Sequence, residues 1–267
     1  MGAGGEGHRP AGALTAPVDS AAGLAIVAGA FLLAGTVKGV IGMGLPTVAM
    51  GVLGLVMPPV QAAALLIVPS LATNVWQMLA GPAFAAAVKR FATMLVGVCA
   101  GIFLGIGLLA GATAAASAAL GGVLAIYGAL GLISVQLAVP RRAERWLSPL
   151  VGLVTGVLTG ATGVFVVPAV PYLASLGLER ETLIQTLGLS FTVSTVALAA
   201  ALLATGQFPA SAATTSALAL APAFAGMFLG QAIRVRIRPE VFRRWFFVWL
   251  LVIGTYMLVR ALASMRA

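Results

Sequence analysis

The chain has 267 residues, of which 61% are hydrophobic and 8% charged, with a formal net charge of +9. Soluble domains carry roughly 25% charged residues, so the composition excludes a soluble enzyme or binding domain of useful size and identifies an integral membrane protein. The basic residues are spaced between apolar runs and not gathered on one soluble face. They therefore orient the chain in its bilayer and do not point to nucleic acid.

Residues 1–19 hold Glu6, His8, Arg9 and Asp19 among glycines and prolines, without a basic n-region, short apolar core and cleavage site, and read as a disordered N-terminal tail. Beyond it, apolar runs bounded by turn or charge signals predict five elements in each half. The first repeat, 20–139, runs through Ser20 to Val40, Leu45 to Met57, Val60 to Leu79, Phe91 to Leu109 and Ala114 to Ala138. A cytoplasmic linker comes next, at Pro140 to Trp146. The second repeat, 147–267, runs through Leu147 to Thr162, Val164 to Leu176, Thr182 to Ala204, Pro209 to Ile233 and Val241 to Leu262. The second element of each half has about 13 residues, too few to span upright a core that needs about 20.

The halves share motifs. Gly39-Val40-Ile41-Gly42 before Pro46 recurs as Gly160-Ala161-Thr162-Gly163 before Pro168, and Gly101-Ile102-Phe103-Leu104-Gly105 recurs as Gly226-Met227-Phe228-Leu229-Gly230. The offsets are about 121 and about 125 residues, a drift that one or two short insertions explain. Duplication in a very apolar chain points to a transporter whose halves rock about a shared site.

Basic residues cluster at Lys89/Arg90, Arg141/Arg142/Arg145, Arg180 and Arg234/Arg236/Arg238/Arg243/Arg244. All of them fall on one face only if the first two elements of each half form a hairpin that returns to its starting side. Both termini then lie outside, with Arg9 and Arg266 as the exceptions to the rule. Each half makes an odd net number of crossings, so the two must be inverted relative to each other. The expected fold is an all-α polytopic membrane protein of 8–10 segments: two inverted repeats, each a broken or re-entrant helical hairpin followed by three transmembrane helices.

Gly39, Gly42, Gly44 and Pro46 cannot continue a good helix, since glycine costs about 1 kcal/mol and an interior proline about 3 relative to alanine. Such a break at membrane depth strands backbone groups that only protein or a water-filled cavity satisfies. Proline near the first turn suits a new helix N-terminus, whose N–H groups attract anions. Gly160 and Gly163 mark the matching break; the competing reading of all these glycines is close helix packing. Lys38 is the ionisable residue deep in an apolar run immediately before a break, where a charge costs roughly 2.5 to 3.5 kcal/mol that an anion would offset. The competing reading is snorkelling to the cytoplasmic surface, and its second-half equivalent is Thr159.

Ser70, Thr73, Asn74 and Gln77 keep the i, i+3, i+4, i+7 spacing of one helical stripe; Ser190, Ser194 and Thr195, with Gln185 and Thr186 earlier, do likewise. Hydroxyls of this kind often bond their own helix, whereas the amides of Asn74 and Gln77 must find partners in lipid. The six carboxylates, Glu6, Asp19, Glu144, Glu179, Glu181 and Glu240, fall in tails or expected loops, His8 is in the tail, and Cys99 reads as a small buried hydrophobe. We therefore expect no enzyme, no catalytic residues, no cofactor, no metal site and no proton relay of carboxylates. The expected substrate-binding residues are Lys38, Gly39, Gly42, Gly44, Asn74, Gln77, Gly160, Gly163, Ser190 and Ser194.

At the duplicated segments Lys38-Gly39-Val40-Ile41-Gly42-Met43-Gly44-Leu45-Pro46 and Thr159-Gly160-Ala161-Thr162-Gly163 through Pro168, and at the paired Gly-x-Phe-Leu-Gly segments, the chain resembles the sulfite exporter TauE/SafE family of bacterial membrane proteins. The resemblance covers about Gly23 to Ala263. It implies export of a small sulfur-containing anion such as sulfite, sulfoacetate or another organosulfonate across the cytoplasmic membrane. The second half departs from the family pattern, with Val164-Phe165 in place of a richer glycine run, so the two anion-binding ends need not be alike. Expected partners are the anion and membrane lipid, with no nucleic acid; the sequence leaves the oligomeric state open, a homodimer included. The alternatives are a membrane assembly subunit and a lipid- or quinone-handling membrane enzyme.

Overall fold

Ser20 opens the first helix by accepting a hydrogen bond from the Gly23 amide at 3.0 Å, an ordinary N-cap. The computed structural model describes residues 20–111, 113–133 and 139–266; the expected N-terminal tail lies outside them. The described residues form eleven helices in chain order: α1 (Ala21–Ile41), α2 (Leu45–Leu53), α3 (Pro59–Leu79), α4 (Phe84–Ala110), α5 (Ala114–Ile133), α6 (Arg141–Thr162), α7 (Ala169–Ser175), α8 (Arg180–Ala204), α9 (Ala210–Leu218), α10 (Leu220–Arg234) and α11 (Pro239–Arg266). No strand occurs among the described residues. Seven of these helices are long and apolar enough to cross a membrane, with α9 and α10 counted as one. The 22-residue α6 is not among them, because its first turns carry Arg141, Arg142, Glu144 and Arg145.

Three expectations change. The stretch Pro140 to Trp146 is not a linker beyond Pro140, since the chain is helical from Arg141. The fourth element begins at Phe84, well before Phe91, which places Lys89 and Arg90 on the helix. Arg90 there holds Glu144 through Nε and a terminal nitrogen at 2.7 and 2.8 Å, a paired fork that makes a helical site for both charges reasonable. The run Pro209 to Ile233 is interrupted at Ala219, where Pro222 lacks the N–H that would continue the ladder.

Glycine seams set the packing. Gly97, Gly101 and Gly105 of α4 face the α6 backbone at 149–153, 153–157 and 157–161. A Cβ on Gly101 would lie 2.8 Å from the Cα of Gly156, and one on Gly156 would lie 2.8 Å from the Cα of Gly101. Gly39 of α1 and Gly230 of α10 stand in the same reciprocal relation at 2.9 Å. The motif duplicated as Gly-x-Phe-Leu-Gly therefore closes, in each half, against the break helix of the other half. Small residues let backbones approach where apolar burial drives nothing, lipid being as apolar as the core. Outward, Val96 and Leu104 of α4 are exposed large side chains, as a lipid-facing surface requires.

Residue numbers run together across the α1–α10 and α4–α6 seams, so those helices are parallel. They run oppositely across two other pairs. Ser70 meets Thr195 and Gln77 meets Ile184 between α3 and α8; Gly121 meets Gly254 and Leu258 while Gly128 meets Phe247 and Leu251 between α5 and α11.

Pro69 lies inside α3 and cannot donate to the carbonyl of Leu65. Ser216 of α9 takes its place, donating to Leu65 O at 2.7 Å while accepting from the Val68 amide at 3.0 Å. Ser216→Ala should leave that carbonyl unsatisfied and destabilise the protein by about 1 to 3 kcal/mol. A clear drop in melting temperature in detergent is the expected reading, and an unchanged one would contradict this role.

Candidate functional site

The two breaks have the same backbone geometry. Gly42 ends α1 at φ 79° with its amide donating to Lys38 O at 2.8 Å; Gly163 ends α6 at φ 73° with its amide donating to Thr159 O at 2.7 Å. Both are left-handed caps, a conformation that costs a side-chain-bearing residue roughly 1–2 kcal/mol. Gly44, at φ 100°, turns the chain into α2, and Pro46 occupies the first turn as its missing N–H allows.

Beyond the caps the two hairpins diverge. The first break re-enters helix at once, whereas Val164, Phe165, Val166 and Val167 continue non-helical and buried before the seven-residue α7. A Cβ on Gly42 would meet nothing within 4 Å, while one on Gly163 would come to 3.0 Å from the Met50 sulfur and methyl and 3.3 Å from Ala63 Cβ. The first break is open at Gly42 but lined at Gly44, where a Cβ would come to 3.3 Å from Val37 and 3.4 Å from Phe246, whereas the second is filled at its cap.

Lys38 is buried and does not reach outward. Its Nζ donates to Thr73 Oγ1 at 3.2 Å and to Asn74 Oδ1. The structure thus replaces the snorkelling alternative with an inward-facing lysine against the α3 stripe. An ammonium donates only, so Asn74 must offer its oxygen to Lys38. Its Nδ2 then donates to Ser70 Oγ at 3.0 Å. Thr195 uses its own hydrogen on Phe191 O at 2.7 Å, so the 3.3 Å contact between Ser70 and Thr195 is donated by Ser70. A chain of hydrogen bonds therefore runs one way, from Lys38 through Asn74 and Ser70 to Thr195, joining α1, α3 and α8; such chains polarise their members. Among the described residues the ion pair is Arg90 with Glu144, and Lys38 has no carboxylate partner.

The remaining expected site residues separate. Gln77 donates to Ile184 O at 2.8 Å and so fastens α3 to α8. Gln185 does the same in reverse, donating to Met78 O and Gly81 O at 2.8 and 2.6 Å and accepting from the Ala83 amide at 2.7 Å. Ser194 bonds its own helix at Ser190 O, 2.9 Å away. Ser190 does not follow that competing reading: its buried Oγ has no partner among the described residues. Gly39 and Gly160 face neighbouring backbones, Gly39 that of α10 and Gly160 that of α4, which is the packing alternative for those two. Thr159, standing where Lys38 stands in the first half, donates to Thr155 O at 2.7 Å and supplies no charge.

Two hydroxyls escaped the sequence reading. Thr47 and Thr155 are buried and, like Ser190, without a partner among the described residues. A period-based stripe does not single out either, Thr47 lying in a nine-residue helix and Thr155 among the seam glycines of α6.

Seven apolar spanning helices around an interior line of lysine, amide and hydroxyl groups define a multi-pass helical membrane protein with a polar interior. The chain belongs to the sulfite exporter TauE/SafE family, whose match covers residues 27–257. That family is one of membrane transporters. Neither a curated protein nor a solved structure matches the chain.

Proposed function

We propose that the protein is a secondary transporter that exports a small sulfur-containing oxyanion, sulfite or an organosulfonate, across the bacterial cytoplasmic membrane. The observation that carries this reading is Lys38: a buried lysine beside a helix break, held by Thr73 and Asn74 with no carboxylate partner among the described residues. An intramembrane cation without a counterion marks a functional site, and a small anion supplies the missing charge. Asn74, the open Gly42 cap, Gly44 and the unpartnered Ser190 complete the proposed binding set, with Gly163 as the pivot of the opposite hairpin.

The halves work as inverted repeats, in which α3 and α8, and α5 and α11, are equivalent pairs. Their antiparallel contacts support this, since a pseudo-two-fold axis in the membrane plane reverses the direction of every equivalent helix. It is also supported by the exchange of seams, α1 with α10 answering α6 with α4. The Arg90 to Glu144 pair and the Gln185 bonds draw the starts of α4, α6 and α8 together, and Gly131 against Phe247 draws the end of α5 to the start of α11. The basic clusters then share a cytoplasmic face, with both termini periplasmic.

The direct test is counterflow of labelled sulfite and sulfoacetate in proteoliposomes. Accelerated exchange over protein-free vesicles is expected, and none for either anion would end the transporter reading. For topology, alkaline phosphatase fused to the C-terminus should be active and a fluorescent protein there dark. Fluorescence without phosphatase activity would refute the inverted arrangement.

A further inference from the structure

We infer that Thr47 is an anion-binding residue and that the first turn of α2, with Lys38, forms a one-sided oxyanion site; this rests on the transporter reading above. Lys38 lies within one turn before the end of α1, and Thr47 is the third residue of α2, so both flank the same break, which is open at Gly42. The nine-residue α2 begins at a left-handed glycine with no side-chain cap. Val48 donates to Gly44 O, but the amides of Leu45 and Thr47 donate to no acceptor among the described residues, and Pro46 has no N–H. A helix start of this kind attracts anions.

The independent observation is the side chain. Thr47 is 0% exposed and its Oγ1 has no partner among the described residues. A buried hydroxyl left unpaired costs free energy, whereas a valine of the same shape would not. Most threonines on this chain's helices avoid that cost by bonding the carbonyl one turn back, as Thr73, Thr159, Thr162, Thr186 and Thr195 do. Thr47 does not: the carbonyl four residues back belongs to Met43, outside the helix, and the hydroxyl bonds neither it nor Gly44 O. Its hydroxyl is therefore available to a ligand at the same turn as the two amides. Lys38 adds a third N–H beyond those given to Thr73 and Asn74. Together these donors suit the several oxygens of a small oxyanion.

The other hairpin lacks each part. Thr159 replaces Lys38, Ala169 opens α7 where α2 has Leu45-Pro46-Thr47, and the apolar, buried Val164 to Val167 separate the cap from that helix. Substrate charge is held by the first half alone.

The experiment compares detergent-purified parent, Thr47→Val and Thr47→Ser proteins for melting temperature with and without sulfite, and for sulfite counterflow after reconstitution. Thr47→Val should melt without sulfite at or above the parent temperature, since it removes an unpaired hydroxyl. Its sulfite-induced stabilisation should shrink, and its half-saturating sulfite concentration should rise about ten-fold or more. Thr47→Ser, which keeps the donor, should stay within a few-fold of the parent. If Thr47→Val responds to sulfite like the parent, or melts lower without it, the hydroxyl belongs to the fold and the inference is overturned alone. If the parent itself neither binds nor exchanges sulfite or sulfoacetate, the transporter reading falls and takes the inference with it.

Discussion

Replacing Lys38 by glutamine or methionine should abolish or sharply weaken anion transport while leaving the folded protein intact. The residue is the cation at the first break, and losing one charge-assisted contact costs about 1.5 to 3 kcal/mol, roughly ten-fold to over a hundred-fold in affinity. A purely structural lysine would behave differently. Its partners are a threonine hydroxyl and an amide oxygen, neither of which balances a charge, so removing the cation deletes a desolvated charge and no ion pair. Methionine keeps most of the volume of the stem and adapts to irregular space. Loss of the desolvated charge offsets the cost of leaving Asn74 Oδ1 without its donor, so we expect Lys38→Met to be extracted as a single monodisperse species with a melting temperature close to the parent's, yet inactive in sulfite counterflow. Normal transport by this variant would mean that backbone dipoles bind the anion unaided.

How far the sequence reveals this arrangement depends on the kind of signal. The breaks at Gly42 and Gly163 are legible because the left-handed cap needs glycine and leaves a fixed spacing to the next proline. The stripe on α3 is legible because an amide in lipid must face inward, and Asn74 and Gln77 both do. The difference between those two amides is not legible, since only the crossing with α8 decides that Gln77 meets a backbone carbonyl and Asn74 meets Lys38. Glycine identity is equally ambiguous. Gly39 and Gly42 stand three residues apart in one motif, but Gly39 faces α10 and Gly42 faces open space, because Gly39 is still on the helix whereas at Gly42 the chain has left it through a left-handed cap. Arg141 to Arg145 mislead for another reason. A cluster of charges reads as a loop until its partner is known, and the Arg90 fork that holds Glu144 on a helix comes from 54 residues away. Ser216 is the same case: its task exists only because Pro69 frees a carbonyl on a different helix.

Gly42→Leu and Gly163→Leu should each impair transport, for reasons that the two surroundings keep distinct. At Gly42 the left-handed backbone costs leucine roughly 1–2 kcal/mol, but a Cβ meets nothing within 4 Å, so the protein should fold and the side chain should occupy the space beside the break. Gly42→Ala carries the same backbone cost without the bulk and is the matched control. Transport by the leucine variant should fall at least ten-fold below that of the alanine variant at equal folded yield. At Gly163 the same backbone cost is joined by crowding from Met50 and Ala63 at 3.0 to 3.3 Å. Met50 is flexible and can move, but it belongs to α2, so its displacement carries the perturbation from one hairpin into the other. Gly163→Leu should therefore lower both folded yield and transport. If both leucine variants fold and transport like the parent, the paired breaks are not the substrate path; the anion must then be sought along the line from Asn74 through Ser70 to Thr195, where the polar chain crosses from one half to the other.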